Sequence, residues 1–189
     1  MMKESMFLPD KLDVAAFARD GGQISGSVAA SSLLRFAESA APEAPASTWP
    51  AIKWSARGER REPRGAQAQT WLHLEAVGSA QLTCQRCLRP VLEPVEFARW
   101  FRFVQDEAAA AGIDADSEED LLVLSRTFNL LELIEDELLL SLPLVPRHEE
   151  CPEPLAVPSD PDALSDAVGA ERPHPFAALA ALKKPGPAQ

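Results

Sequence analysis

From Thr70 the chain alternates. Leu72, Leu74, Ala76, Gly78, Ala80, Leu82 and Cys84 take every second position, while Trp71, His73, Glu75, Ser79, Gln81 and Thr83 fill much of the other set. A period of two marks a strand with one buried side. The phase runs unchanged through Gly78, so the pattern predicts one long strand bent at that glycine rather than a hairpin there. After Val91 the odd positions Val95, Phe97, Phe101 and Phe103 predict a second strand, interrupted by Arg99. The six residues from Gln85 to Pro90 reverse the chain between them. Ala51 to Arg57 predicts a further strand, and Ser32 to Ser39 a short helix with Ser31 or Ser32 as its N-cap.

Residues 129–142 carry a different period. Leu130, Leu131, Ile134, Leu138 and Leu142 share a face at helical spacing, with Glu132, Glu135 and Asp136 largely away from it. Asn129 with Glu132 three positions on has the form of a capping box. Pro143 disfavours helix at Leu142 and should end the element there. Strands followed by a helix predict an α+β fold: an antiparallel, strongly bent or barrel-like sheet with the long helix 129–142 packed on it.

Composition divides the chain. Six prolines lie between Pro152 and Pro175 among acids and small residues, a mixture that buries too little to offset its ordering entropy. Residues 1–151 are therefore expected to form one domain, with a flexible acidic loop at about 106–120. An extended linker at 152–173 and a short helical motif with a tail at 174–189 follow. No apolar run approaches the roughly 18 residues that span a bilayer, and the first residues lead into no stretch of signal-peptide length. Three cysteines are too few, and odd in number, for a disulfide scaffold. A cytoplasmic protein with reduced thiols and no membrane partner is expected.

The net charge of −11 argues against a chain that coats nucleic acid with its whole surface. It hides an asymmetry. Residues 53–102 hold nine basic residues against five glutamates, whereas 106–171 hold two arginines against 18 acids. A basic middle can meet an anion locally while the acidic half resists nonspecific adhesion. Equally, the charges can simply solvate the faces of a dipolar protein.

Two short motifs carry metal-ligand chemistry. Cys84-Gln85-Arg86-Cys87 is a C-x-x-C at a chain reversal, and His148-Glu149-Glu150-Cys151 is an H-x-x-C after the helix. Together Cys84, Cys87, His148 and Cys151 offer four ligands for a tetrahedral zinc ion, provided that the fold brings the pairs together. Otherwise they are unrelated residues in two turns. Redox use is poorly supported, because a redox C-x-x-C normally opens a helix that lowers its thiolate pKa.

Arg86 and Arg89 flank the cysteines, Arg99 and Arg102 follow on the next strand, and Arg57, Arg60, Arg61 and Arg64 lie upstream. Trp49, Trp54, Trp71 and Trp100 are interspersed. Arginines beside aromatics contact phosphates and stack on unpaired bases. The alternative is core tryptophans with arginines paired to nearby acids. Glu132, Glu135, Asp136 and Glu137 read as a solvated helix face. Near the end, Phe176, Leu179 and Leu182 recur every three residues before Lys183 and Lys184, a short amphipathic segment that suits its own core or a partner. There is no G-x-G-x-x-G, P-loop, G-x-S-x-G or H-E-x-x-H, and three scattered histidines give a hydrolytic triad little to build from. No enzymatic activity is expected.

Three blocks together resemble the YceD family, the bacterial and plastid large-ribosomal-RNA accumulation proteins. They are Leu82-Thr83-Cys84-Gln85-Arg86-Cys87-Leu88-Arg89-Pro90, then Glu135 to His148 followed by Cys151, then Pro175-Phe176-Ala177 to Lys184. The resemblance implies a cytoplasmic, non-enzymatic factor needed for normal accumulation of 23S ribosomal RNA. It also implies genomic association with a large-subunit ribosomal protein. Some relatives carry a second cysteine pair where this chain has His148 and Cys151. On this basis Arg86, Arg89, Arg99 and Arg102 are expected to contact large-subunit ribosomal RNA or its precursor. The rival is an adaptor that holds a basic ribosomal protein with Phe176, Leu179, Leu182 and the acidic face of helix 129–142.

Overall fold

The structure is a computed structural model that describes residues 7–65, 67–114 and 120–152. The chain divides into two compact units, Met1–Glu153 and Pro154–Gln189; all the described residues lie in the first. The segment with Phe176, Leu179 and Leu182 lies outside them.

The order of elements is α1 (Val14–Arg19), β1 (Gln23–Val28), α2 (Leu34–Glu38), β2 (Ile52–Arg61), β3 (Gln69–Thr83), β4 (Pro90–Val104), α3 (Glu107–Asp114), β5 (Asp120–Val123) and α4 (Leu130–Ser141). The strands form one five-stranded sheet in sequence order. β1 to β4 pair antiparallel, and β5 joins β4 in parallel. The fold is α+β, but its sheet is mixed and open rather than antiparallel and barrel-like. Sequence order leaves β1 and β5 on opposite edges with three strands between them, so helices rather than closure bury the apolar face. The parallel pairing follows from α3. A parallel neighbour needs a crossover segment, and Glu107–Asp114 supplies it as a helix where the acidic composition suggested a loop.

β3 is one uninterrupted strand of 15 residues, paired with β4 from Thr70↔Phe103 to Thr83↔Pro90. Gly78 stands in regular register opposite Val95. It is glycine because of its neighbour: a methyl group at this position would collide with Ile52 Cδ1.

Leu72 and Leu74 of β3, Ile52 and Ala56 of β2, and Val95 and Phe101 of β4 face the same side, together with Phe17, Phe36, Leu130, Ile134 and Leu138 from the helices. Each fully buried valine, leucine, isoleucine or phenylalanine among them contributes roughly 1.5–3 kcal/mol. α1 comes so close to β2 that a Cβ at Gly58 would lie 2.8 Å from the backbone of Ala18. The stretch before α4 is tied to the N-terminal segment by Leu12 N donating to Phe128 O (2.8 Å) and Phe128 N to Leu12 O (3.0 Å).

α4 begins at an Asn129 cap whose side chain accepts from Leu131 N and Glu132 N. α2 differs from the expectation of a serine cap. Its N-cap residue is Leu33, which offers no side-chain acceptor. Instead Glu135 of α4 accepts from Arg35 N (2.7 Å) and Phe36 N (3.2 Å), while Ser32 Oγ turns to Ala29 O. A carboxylate a hundred positions away does the capping.

Candidate metal centre

The β3–β4 turn is a knuckle. Cys84 N donates to Arg89 O and Leu88 N to Cys84 O, both at 2.9 Å, and Leu88 takes a left-handed φ of 62° to close it. The segment after α4 comes to this turn, where Gln85 N donates to Pro146 O at 2.9 Å. The two short motifs thereby meet. One ligand atom from each of Cys84, Cys87, His148 and Cys151 lies within 4.8 Å of all the others.

The spacing fits a tetrahedral ion. With metal–sulfur and metal–nitrogen bonds of about 2.3 and 2.05 Å, sulfur–sulfur and sulfur–nitrogen edges are about 3.8 and 3.6 Å. Cys84 Sγ and Cys151 Sγ are 3.9 Å apart, and Cys87 Sγ lies 3.4 Å from His148 Nδ1. Cys84 is buried and the other two thiols are half-buried.

The electrostatics favour a cation. Burial opposes ionisation of Cys84, but the backbone N–H groups of Cys87, Arg86 and His148 and the His148 side chain outweigh it and lower the thiol to about 5. At Cys87 the Arg89 N–H favours the thiolate; burial and the neighbouring Cys151 and Cys84 prevail and push the thiol up. Three sulfurs this close resist joint ionisation, and a bound cation removes that conflict. These four residues can bind a metal ion.

Arg86 completes the arrangement. Its Nε donates to Cys151 Sγ at 3.0 Å, and Nη2 donates to the carbonyls of His148 and Glu149, also at 3.0 Å. Contact with Cys151 raises the guanidinium pKa further. Sequence reasoning assigned Arg86 to RNA and missed this clamp. The available signal was a cation set between two metal-ligating cysteines.

The other arginines expected to contact RNA do not share one surface. Arg89 lies at the knuckle, 3.8 Å from Glu43. Arg99 projects on the helix-covered side, 3.2 Å from Glu137 and 3.7 Å from Asp120. Arg102 stands opposite Trp71 on the other sheet face. The acidic face of α4 is also largely engaged: Arg35 pairs with Glu135 and Asp136, and Arg99 with Glu137. Glu135 and Glu137 are buried rather than solvated.

Among the described residues, no helix is long and apolar enough to cross a membrane. No solved structure matches the chain. The family model for the large ribosomal RNA subunit accumulation protein YceD matches residues 72–183. That stretch is more than half of the chain and contains most of β3, all of β4 and α4, and all four clustered ligands, so the protein belongs to the YceD family.

Proposed function

We propose that this protein is a non-enzymatic factor of ribosome biogenesis, acting in the cytoplasm to sustain accumulation of 23S ribosomal RNA through direct contact with that RNA or its precursor. The observation that carries this reading is the family match across residues 72–183. In this reading zinc is the resident ion of the Cys84, Cys87, His148 and Cys151 cluster; a mixed thiolate and imidazole set of four suits a structural zinc site. The ion supplies cross-linking of the β3–β4 turn to the segment after α4 and takes no part in chemistry. The adaptor reading is weakened because the carboxylates it needs on α4 are paired within the fold.

The test is ultraviolet crosslinking in cells, with sequencing of the attached RNA, beside 23S quantification in a strain lacking the protein. Reads gathered at a large-subunit site, with 23S restored by the wild-type chain, are expected. Reads no higher than the uncrosslinked control would overturn direct contact.

A further inference from the structure

α1, α2 and α4 pack on one face of the sheet, and the opposite face has an unusual composition. Residues paired across neighbouring strands project on the same side, so Gln23, Arg57, His73 and Trp100 form one row across β1 to β4. Glu59, Trp71 and Arg102 form the next row. Lys53, Arg57, Glu75, Val77, Glu96 and Ala98 on this face are exposed, so no described element covers its middle.

Two indoles on such a face need an explanation. Trp71 and Trp100 meet edge to face at 6.3 Å. The Arg61 guanidinium lies 4.1 Å from the Trp71 ring centre and 4.4 Å from that of Trp100. Arg57 stands 5.4 Å from Trp100, and the His73 ring 4.6 Å from it. Arg61 covers Trp71, which is 5 % exposed, whereas Trp100 is only half-buried. Trp100 borders a depression of about 730 Å³ lined by Gln23, Ser55, Arg57, His73 and the Glu75 carboxylate among others. A π-surface at the wall of a pocket furnished with both donors and acceptors is what an unpaired base requires.

Charge selects the partner. In a chain of net charge −11, Lys53, Arg57, Arg61 and Arg102 stand on this sheet face against Glu59, Glu75 and Glu96. Glu59 is held by Arg61 and Arg57 at 2.8 and 3.3 Å, so this carboxylate organises the guanidiniums. Flat cations beside an aromatic ring suit a sugar-phosphate strand with splayed bases.

We propose that this sheet face binds single-stranded RNA, with a base stacked on Trp100 in the depression and Arg57 and Arg61 on the adjoining phosphates. The proposal rests on the ribosomal-RNA reading above and assigns its contact surface to residues other than Arg86, Arg89 and Arg99.

The full chain is titrated against a fluorescein-labelled 12-nucleotide single-stranded RNA of mixed sequence and against the corresponding duplex, by anisotropy at several salt concentrations. The single strand should bind more tightly. Trp100→Ala should weaken it about 5- to 150-fold, with Trp100→Phe recovering much of the loss. The double variant Arg57→Gln/Arg61→Gln should lower the log–log salt slope by about 1.4, at about 0.7 per phosphate contact. If Trp100→Ala melts early, the exposed Arg57→Gln alone still reads the surface, with a slope change of about 0.7. Wild-type affinity and slope in these variants, or a preference for duplex, would overturn the proposal. So would capture of a ribosomal protein, instead of RNA, that Trp100→Ala abolishes. Complementation separates the two readings. Restored 23S with Trp100→Ala as well as with the wild type would remove this surface and leave the biogenesis role. RNA binding through Trp100 without any effect on 23S would keep the surface and remove the role.

Discussion

Glu135 provides a sharp test of how this fold is held. It sits on α4, yet its Oε1 accepts from the first free N–H groups of α2, Arg35 N at 2.7 Å and Phe36 N at 3.2 Å. Its Oε2 accepts from Arg35 Nη2 at 3.1 Å. Replacing it with alanine removes a side-chain cap, which costs about 1 kcal/mol. It also strands a buried N–H at Phe36, worth a further 1–3 kcal/mol or so. The Arg35 side chain is 52 % exposed, so its ion pair adds little to this. Glu135→Ala should therefore cost about 2–4 kcal/mol. At an m-value of about 2 kcal/mol per molar, the urea midpoint falls by 1–2 M. Glu135→Gln keeps a carbonyl acceptor and should lose about 1 kcal/mol. Equilibrium urea unfolding followed by tryptophan fluorescence measures both. If the alanine variant loses less than about 0.5 kcal/mol, the range of an ordinary surface substitution, or if the two variants unfold together, the long-range cap is wrong. The solvated acidic face of the adaptor reading would then regain its footing.

Gly78→Ala places a methyl against Ile52 Cδ1 and should cost about 1–3 kcal/mol by overpacking; adding Ile52→Val, which deletes that atom, should return more than half, and additive losses would refute the contact. Burial pushes the Glu137 carboxyl above its ordinary value of 4.5, against the pull of Arg99. The folded state then holds the proton more tightly than the unfolded one, so this group stabilises at acidic pH and that contribution is lost as pH rises through the raised pKa. Urea midpoints from pH 4 to 7 should show Glu137→Gln gaining on the wild type as pH increases, and parallel curves would contradict this. Metal analysis should find one zinc per chain, lost with Cys84→Ser/Cys87→Ser, and a chelator should lower the wild-type Tm. Arg86→Ala should weaken metal affinity about 10- to 100-fold, as loss of a partner of the ligands typically does; a competition titration with a chromogenic chelator reads it, and unchanged affinity would reduce Arg86 to a surface residue.

What was legible in the sequence is what local periodicity controls. The alternation from Thr70 to Cys84 became β3, and the spacing of Leu130, Ile134 and Leu138 became α4 with its Asn129 cap. The Cys84 and Cys87 pair pointed to a four-ligand cluster because its partners His148 and Cys151 repeat the same short spacing, and the fold brings the two pairs together. What stayed hidden depends on pairing between distant segments. The β1 pattern Gln23–Val28 is short and half polar, as an edge strand is. The helix Glu107–Asp114 contains alanines that favour helix, masked by the acids around it. Glu135, Glu137 and Arg99 look solvent-facing by composition, and only the packing of α4 on the sheet and on α2 shows them paired.

The β3–β4 hairpin carries the cysteine and histidine cluster at one end and the row of His73 and Trp100 towards the other. The cysteine knuckle closes one end beyond Thr83↔Pro90, and the row of His73 and Trp100 lies ten residues back along β3. At about 3.3 Å per residue the separation is roughly 33 Å, well beyond the reach of direct electrostatics at physiological salt. A metal at the knuckle can therefore influence the tryptophan face only through the stability of the hairpin and of α4, whose following segment it ties down. Stripping the metal at a temperature where the chain stays folded should leave the RNA salt slope at its wild-type value while Tm falls. A slope that changed with metal loss would mean instead that the knuckle and its arginines, Arg86 and Arg89, touch the RNA themselves.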